Sequence, residues 1–220
     1  MATAQEIQDG YIDYVLTNNE PPKSVYIFAK NLGITEPEFY AFYSSFIGVE
    51  KAVWADLTIK TIAEVEGQEV WASYSAREKV LAFFYAYIEL LKSKRSFIVF
   101  SLNRYKYAGK MQTPDVLLDV KNIFQNFAEA TIREGLDKGE LADRKYFSKR
   151  YKDALWIQFG IILNFWINDN STGFEKTDEA IERGINVTFD LFQRSTLDNL
   201  IDYGKFFARN RDNFREKMRF

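Results

Sequence analysis

The sequence predicts an all-α protein with a small N-terminal three-helix domain followed by a larger helical bundle. Helical spacing of apolar residues recurs along the chain while strand signals are weak, so we expect about nine or ten helices joined by short polar breaks. Many of the helix starts are marked by N-cap residues. Apolar residues make up 47% of the 220 residues and aromatic residues 17%, which is enough for a substantial core.

The first third of the chain predicts three short helices and a longer fourth. Thr3 and Thr35 each stand three residues before a glutamate, which is the spacing of a capping box. Ser24 can cap the second helix, and Gly33 can supply the left-handed residue that ends it. The fourth helix is predicted from about Phe46 to Glu64.

The remainder of the chain predicts longer helices, which are typical of a bundle. Polar breaks and cap residues place them at about 75–91, 113–131, 147–168, 177–194 and 197–214. Gly135 and Gly139 are expected to interrupt the helical pattern after the second of these.

The chain contains neither cysteine nor histidine, and this narrows the functions open to it. Disulfides, thiolate or imidazole metal ligands, and cysteine or histidine catalysis are excluded. We therefore expect no enzyme activity, no metal and no cofactor. The N-terminus lacks the features of a secretory signal. The most apolar stretch, Ala154–Ile167, is too short to span a bilayer, so we expect a cytoplasmic protein without stable membrane insertion.

One stretch has the pattern of a helix-turn-helix domain: a short helix, a turn that contains glycine, and a second short helix. Residues 29–45, AKNLGITEPEFYAFYSS, resemble the corresponding stretch of the tetracycline-repressor (TetR) family of transcriptional regulators. The matching positions are Ala29, Gly33, Ile34, Thr35, Tyr40 and Tyr43. Residues 165–192 are similar to the closing helices of TetR regulatory domains.

The resemblance implies a DNA-binding-like head, residues 1–46, and a helical ligand-binding and dimerisation domain, residues 47–220, that forms a homodimer through its last long helices. The residues that it implies to face duplex DNA are Lys23, Ser24, Thr35, Glu36, Pro37, Glu38 and Tyr40. Structural roles compete with these: Thr35 is first a helix cap, and Tyr40 and Tyr43 also suit the core of a small domain.

The charge of the head argues against tight DNA binding. Residues 1–65 carry four lysines against nine acidic residues, a net charge of −5, whereas duplex affinity depends on neutralising phosphates with Lys and Arg. Glu36, Glu38 and Phe46 also stand where TetR proteins usually have basic residues. We therefore expect DNA binding that is weak and partner-assisted, or that has been lost.

Basic charge is concentrated elsewhere in the sequence. Residues 92–110 contain lysines and arginines with no intervening acid, and residues 205–219 contain six basic residues against Asp212 and Glu216. Solvated helix faces are one interpretation of these clusters. An anionic ligand, a membrane surface or a protein partner is the other.

The middle helices are rich in aromatic residues, which predicts a site for a small apolar ligand with a few polar contacts. The candidate residues are Phe84, Tyr87, Phe100, Asn103, Phe124, Phe127, Gln158 and Phe159. Plain core packing is the alternative for each of them.

Together these features favour a TetR-like transcriptional regulator that senses a small apolar ligand. The alternative is a TetR-fold protein that has lost DNA binding and binds a lipid or isoprenoid. A third hypothesis is a structural protein that binds only a protein partner.

Overall fold

The structure is a computed structural model that describes residues 2–104, 113–144 and 148–193. These ranges form nine α-helices without any strand, which confirms the all-α prediction: α1 (Ala4–Asn18), α2 (Val25–Leu32), α3 (Glu36–Tyr40), α4 (Phe46–Glu66), α5 (Ala76–Lys92), α6 (Arg95–Asn103), α7 (Leu118–Asp137), α8 (Tyr151–Asn168) and α9 (Glu175–Phe192). Single turns of 3₁₀ helix precede α5, α7, α8 and α9.

Helices α1, α2 and α3 pack around a small aromatic core. Phe28 of α2 and Phe39 of α3 lie edge-on, with ring centroids 6.0 Å apart. Phe46, the first residue of α4, stacks on Tyr11 of α1 at a centroid distance of 5.6 Å. The first turn of α4 therefore completes the core of the head.

The described helices from α4 onward form the part that we call the body. Helix α4 leaves the head and packs against α5 and α7. Helix α5 also contacts α9, and α8 packs against both α7 and α9. At the end of the bundle far from the head, the N–H of Ala76 donates to Glu140 (2.7 Å) and the N–H of Ala142 donates to the carbonyl of Phe192 (2.8 Å). The end of α9 therefore lies beside the end of α7 and the start of α5.

Helix α7 corrects one sequence prediction. It passes through Gly135, so the predicted break at that residue is wrong. Gly135 instead allows close packing on α5, because a Cβ there would lie 2.8 Å from the Cβ of Ala76. The chain turns at Gly139, which has a φ of +74° and follows the end of the helix.

Other helix limits differ by a few residues from those predicted. Helix α4 extends to Glu66, α8 begins at Tyr151, and α9 covers Glu175–Phe192. Helix α6 was not predicted, because Lys94 at its start makes no side-chain cap. The helix predicted at 197–214 lies outside the described residues. Within the described ranges, no helix combines the length and the apolar character needed to cross a membrane.

Candidate DNA-binding and ligand-binding sites

The α2–turn–α3 unit is defined by its caps. The Ser24 hydroxyl accepts the N–H of Ile27 (3.2 Å) at the start of α2, and Gly33, with φ +74°, ends that helix. At the start of α3 the Thr35 hydroxyl accepts the N–H of Glu38, while the Glu38 carboxylate accepts the N–H of Thr35 at 2.8 Å. These contacts fix the turn between the two helices of the predicted helix-turn-helix.

The residues implied to face DNA differ in how accessible they are. Lys23, Thr35 and Pro37 are exposed, and the Tyr40 side chain is 53% exposed. Glu36 and Glu38 are half-buried, and two hydrogen bonds from Thr35 lower the pKa of Glu38. The hydroxyls of Ser24 and Thr35 act as caps, so their first role is structural.

Two aromatic residues near the end of α3 belong to the interior of the head. The Tyr43 hydroxyl accepts a hydrogen bond from Gln8 Nε2 (2.9 Å) and donates to the carbonyl of Ala4 (3.4 Å). Phe46 packs on Tyr11. The residue that replaces the usual basic side chain at position 46 therefore contributes to the core of the head.

The structure also changes how the charge of the head should be interpreted. Glu50, one of the nine acids, is fully buried and forms an ion pair with Arg104 of α6, and Asp9 lies 3.9 Å from Lys94. Between residues 20 and 51 the remaining charges balance: Lys23, Lys30 and Lys51 against Glu20, Glu36 and Glu38. The surface around α2 and α3 is thus near neutral rather than strongly acidic.

A buried polar cluster joins the head to the body. The Glu50 carboxylate accepts hydrogen bonds from Tyr11 (2.5 Å), Ser101 (2.9 Å) and Arg104, and Trp54 Nε1 donates to Ser101 (3.1 Å). Burial and the neighbouring carboxylate raise the pKa of Tyr11, so its hydroxyl remains a donor. We call these five residues the joint.

Sequence reasoning missed the joint, because Glu50 was counted only as a surface acid. A signal was present: Glu50 lies four residues before Trp54 and seven before Leu57, on the buried face of α4. Its partners on α6, a helix that was not predicted, had no detectable pattern.

An arginine at each end of helix α6 contacts another part of the protein. At its start, Arg95 donates to the carbonyls of Trp166 and Ile167 (both 3.0 Å) and so caps the end of α8. Its guanidinium also lies 4.6 Å from the ring centroid of Trp166 and 4.5 Å from that of Phe174. At its end, Arg104 reaches Glu50. The short helix therefore connects the α8–α9 end of the body to the head.

Five of the eight predicted ligand-binding residues lie together in the body. Phe84, Tyr87, Phe124, Phe127 and Phe159 are buried and form, with Phe83, one cluster between α5, α7 and α8. The rings of Phe124 and Phe159 are 5.0 Å apart, and those of Phe83 and Tyr87 stack at 5.4 Å. The rings fill the space between these helices by packing on one another.

The other three predicted residues lie elsewhere. Phe100 is half-buried on α6, where the Arg104 guanidinium lies 5.8 Å from its ring centroid. Asn103 is exposed. Gln158 packs across α8 onto α9, because a Cβ at Gly184 would lie 2.1 Å from its Nε2. The polar contacts predicted for the ligand are therefore not brought to the aromatic cluster.

Helices α8 and α9 leave an apolar surface uncovered. Ile157, Ile161 and Phe165 of α8 are 63%, 56% and 41% exposed and recur every four residues. On α9, Val187 and Leu191 are 61% and 66% exposed. Exposed apolar stripes of this kind are typical of protein–protein contacts.

A small helix-turn-helix unit joined to a helical body is the architecture of a helical transcriptional regulator. A family profile described as tetracycline repressor-like, C-terminal domain, matches residues 79–207. This match covers more than half of the chain, so the protein belongs to the tetracycline repressor-like family. Regulators of this family generally act as dimers that bind DNA and small ligands, and they are generally not enzymes.

The fold is also similar to a solved structure, that of a protein with unknown function from Rhodococcus sp. RHA1. The TM-score is 0.58 at 10% sequence identity, covering 88% of this chain and 97% of the other. Among curated proteins, none matches the sequence.

Proposed function

We propose that this protein is a homodimeric regulator that binds DNA through the head, residues 1–46, and senses a small apolar ligand through the body, residues 47–220. The observation that carries the proposal is the capped α2–turn–α3 unit, which presents the start of α3 at the surface. Because the joint connects α1 and α4 to α6, a movement of α6 would change the orientation of the head.

DNA contacts from this surface would be few. Pro37 and Tyr40 are exposed on α3, and the Tyr40 hydroxyl is a suitable donor to a phosphate. Lys23, beside the start of α2, adds one cation. The lysines of residues 20–51 are balanced by acids, so few DNA phosphates can be neutralised. The slope of log affinity against log salt concentration should therefore be shallow, because each neutralised phosphate contributes about −0.9 to it.

The ligand would enter the aromatic cluster of the body. Trp156 is half-buried at its edge, where it stacks on Phe159 at 4.9 Å and donates from Nε1 to Thr113 (3.2 Å). Because the rings already fill the space between α5, α7 and α8, a flat apolar molecule would have to displace one of them to bind. A ligand that binds only the native state raises stability by about 2.7 kcal/mol at a hundredfold excess over its dissociation constant.

The exposed stripe on α8 and α9 would form the dimer interface. Ile161→Glu places a charge in the middle of that stripe, and we expect the protein to become monomeric because a buried unpaired charge is costly. Light scattering measures the mass. Ile59→Glu is the matched control, since Ile59 is similarly exposed (51%) but lies on α4.

The DNA-binding proposal is tested by removing the two acids at the start of α3. Glu36→Lys with Glu38→Gln removes both negative charges, and Gln keeps the capping acceptor. Duplex binding by the variant should increase and become more salt-dependent than that of the wild type. Glu64→Gln with Glu66→Lys, at exposed positions near the far end of α4, changes the net charge by the same amount and is the control for charge alone. An equal gain in both variants, or no gain in either, would contradict a role for α3 in DNA binding.

One observation favours the second candidate, a lipid- or isoprenoid-binding protein without DNA binding. Tyr26, Ile27 and Phe42 expose apolar surface on the head, which is unsuited to phosphates. Melting shifts with isoprenoids or fatty acids, together with no duplex binding by the wild type or the Glu36→Lys, Glu38→Gln variant, would support this candidate.

A further inference from the structure

Helices α7 and α8 border a groove near the end of the bundle far from the head. The two helices are joined by a hydrogen bond from Gln125 to Asp153 (3.0 Å) and by the ion pair of Lys152 with Glu129 (2.6 Å). From that ion pair toward the end of α7, a groove of about 340 Å³ lies between α7 and the turn that precedes α8. This volume is within the range of small-molecule sites.

The groove combines apolar side chains with positive charge. Ile132, which is 5% exposed, and Leu136, which is half-buried, stand one turn apart on α7 and pack against the core of the body. They form the floor of the groove. Charged side chains line its rim, three of them basic and one acidic: Arg133, Lys149, Lys152 and Glu129. The lining therefore has a net charge of +2.

Glu129 neutralises only part of this positive charge. The hydrogen bond from Lys152 and the charges of Lys152 and Arg133 lower the pKa of Glu129, but Arg133 lies 3.8 Å from its carboxylate. Lys149 is exposed and makes no ion pair with any residue that the structure describes. Helix α8 also begins here without a side-chain cap, and the N-terminal end of a helix favours negative charge. An anion in the groove would therefore meet two cations that have no close partner.

We propose that this groove binds a small amphipathic carboxylate, with its carboxylate between Arg133 and Lys149 and its acyl chain along Ile132 and Leu136. A guanidinium group binds a carboxylate well because it offers two parallel donors. An inorganic anion would leave the apolar floor unused, and a neutral chain would leave the cations unpaired. At roughly 30 Å³ for a group the size of a water molecule, the groove holds about eleven such groups, which is the size of octanoate.

The groove is separate from the aromatic cluster to which the proposed function assigns the apolar ligand. The cluster is enclosed between α5, α7 and α8 and is filled by its own rings, whereas the groove is open to solvent and needs no ring to be displaced. The carboxylate site therefore goes beyond the proposed function and does not depend on it.

Isothermal titration calorimetry of the full chain with octanoate tests the proposal. Arg133→Gln with Lys149→Gln removes the two rim cations that lack a close partner, and this groove variant should bind octanoate about tenfold or more weakly than the wild type. Arg183→Gln with Lys60→Gln is the matched control, which removes the same charge from α9 and α4 and should bind like the wild type. Arg183 is 78% exposed and Arg133 73%, and each pairs with a glutamate four residues before it.

Two related molecules separate the contributions of charge and chain. Acetate has the carboxylate without the chain, and 1-octanol has the chain without the charge. Each should bind the wild type severalfold more weakly than octanoate, and the affinity for 1-octanol should be the same in the groove variant.

The location of the ligand is checked by amide NMR. Octanoate should shift the amide signals of residues 129–136 and 148–152 most. No binding of millimolar octanoate by the wild type, equal affinity of the groove variant and its control, or equal affinity of the wild type for 1-octanol and octanoate would overturn the proposal. Shifts centred on the aromatic cluster around Phe83 would overturn it as well, but they would support the ligand site of the proposed function.

Discussion

The head and the body are both packed around aromatic rings, but they differ in how completely those rings are buried. In the body, the cluster around Phe83 and Phe124 is enclosed by three long helices. In the head, Phe28 and Phe39 are buried while Phe42 is 47% exposed. A small domain has too little volume to cover all its apolar groups, so the head retains exposed apolar surface. The head is joined to the body by the buried polar contacts of the joint.

The largest expected difference in stability is between removing an aromatic ring from the body and removing one from the head. Phe124→Ala removes a ring that contacts five others, and the free energy of unfolding should fall by about 3–5 kcal/mol because a cavity remains. Phe42→Ala changes an exposed ring and should alter stability by no more than about 0.5 kcal/mol. Urea unfolding at one fixed protein concentration measures both. Similar losses in the two variants would show that Phe42 is covered in solution.

The second effect concerns the joint. Glu50→Gln removes the charged acceptor from Tyr11, Ser101 and Arg104, and we expect a loss of about 1.5–3 kcal/mol, typical for hydrogen bonds to a charged group. The loss is moderated because the Arg104 side chain is 35% exposed and can turn to water. Glu129→Gln is the control: it breaks an exposed pair with Lys152 and should cost about 0–1 kcal/mol.

The joint also makes a prediction that stability alone does not. If the joint fixes the orientation of the head, removing one of its hydrogen bonds should weaken the contact between α1 and α6. Tyr11→Phe does this, because it keeps the ring and removes only the donor. Amide hydrogen exchange measures the result. Protection should fall at the contacts of α1 with α6 and stay unchanged at the far end of α7. A uniform fall in protection would indicate a purely global loss of stability.

The contrast between head and body explains which features the sequence made predictable. Capping boxes at Thr3 and Thr35 are local, since each joins residues three positions apart, and were placed correctly. The Gly135 break was wrong because the reason for that glycine is a contact with Ala76, which is distant in sequence. The partners of Glu50 in the joint were missed for the same reason, because Tyr11 and Ser101 are distant from it in sequence. Helical spacing finds aromatic residues, but it does not distinguish the buried Phe124 from the exposed Phe42, since this depends on which helices pack together.

The last comparison is between Glu50 and Asp169, the two buried carboxylates among the residues that the structure describes. Glu50 is held by an arginine, whereas Asp169, between α8 and α9, accepts hydrogen bonds from the N–H and hydroxyl groups of Ser171 (2.8 and 2.7 Å) and of Thr177 (3.0 and 2.7 Å). Burial alone would raise the pKa of Asp169, but these four hydrogen bonds outweigh it and lower the pKa from 3.8 to about 2.

The low pKa of Asp169 determines the pH range over which its carboxylate stabilises the native state. When the pKa of a carboxyl group is lower in the folded state than in the unfolded state, the group stabilises the native state at any pH above its unfolded-state pKa. This stabilisation is lost as the pH falls through the folded-state pKa. Asp169→Asn should therefore lower the melting temperature by a constant amount above about pH 4, and the difference from wild type should shrink between pH 3.8 and about 2. Asp178→Asn, at an exposed position in the first turn of α9, should change the melting temperature little. A difference between Asp169→Asn and wild type that stays constant down to pH 2 would mean that the four hydrogen bonds do not favour the ionised form.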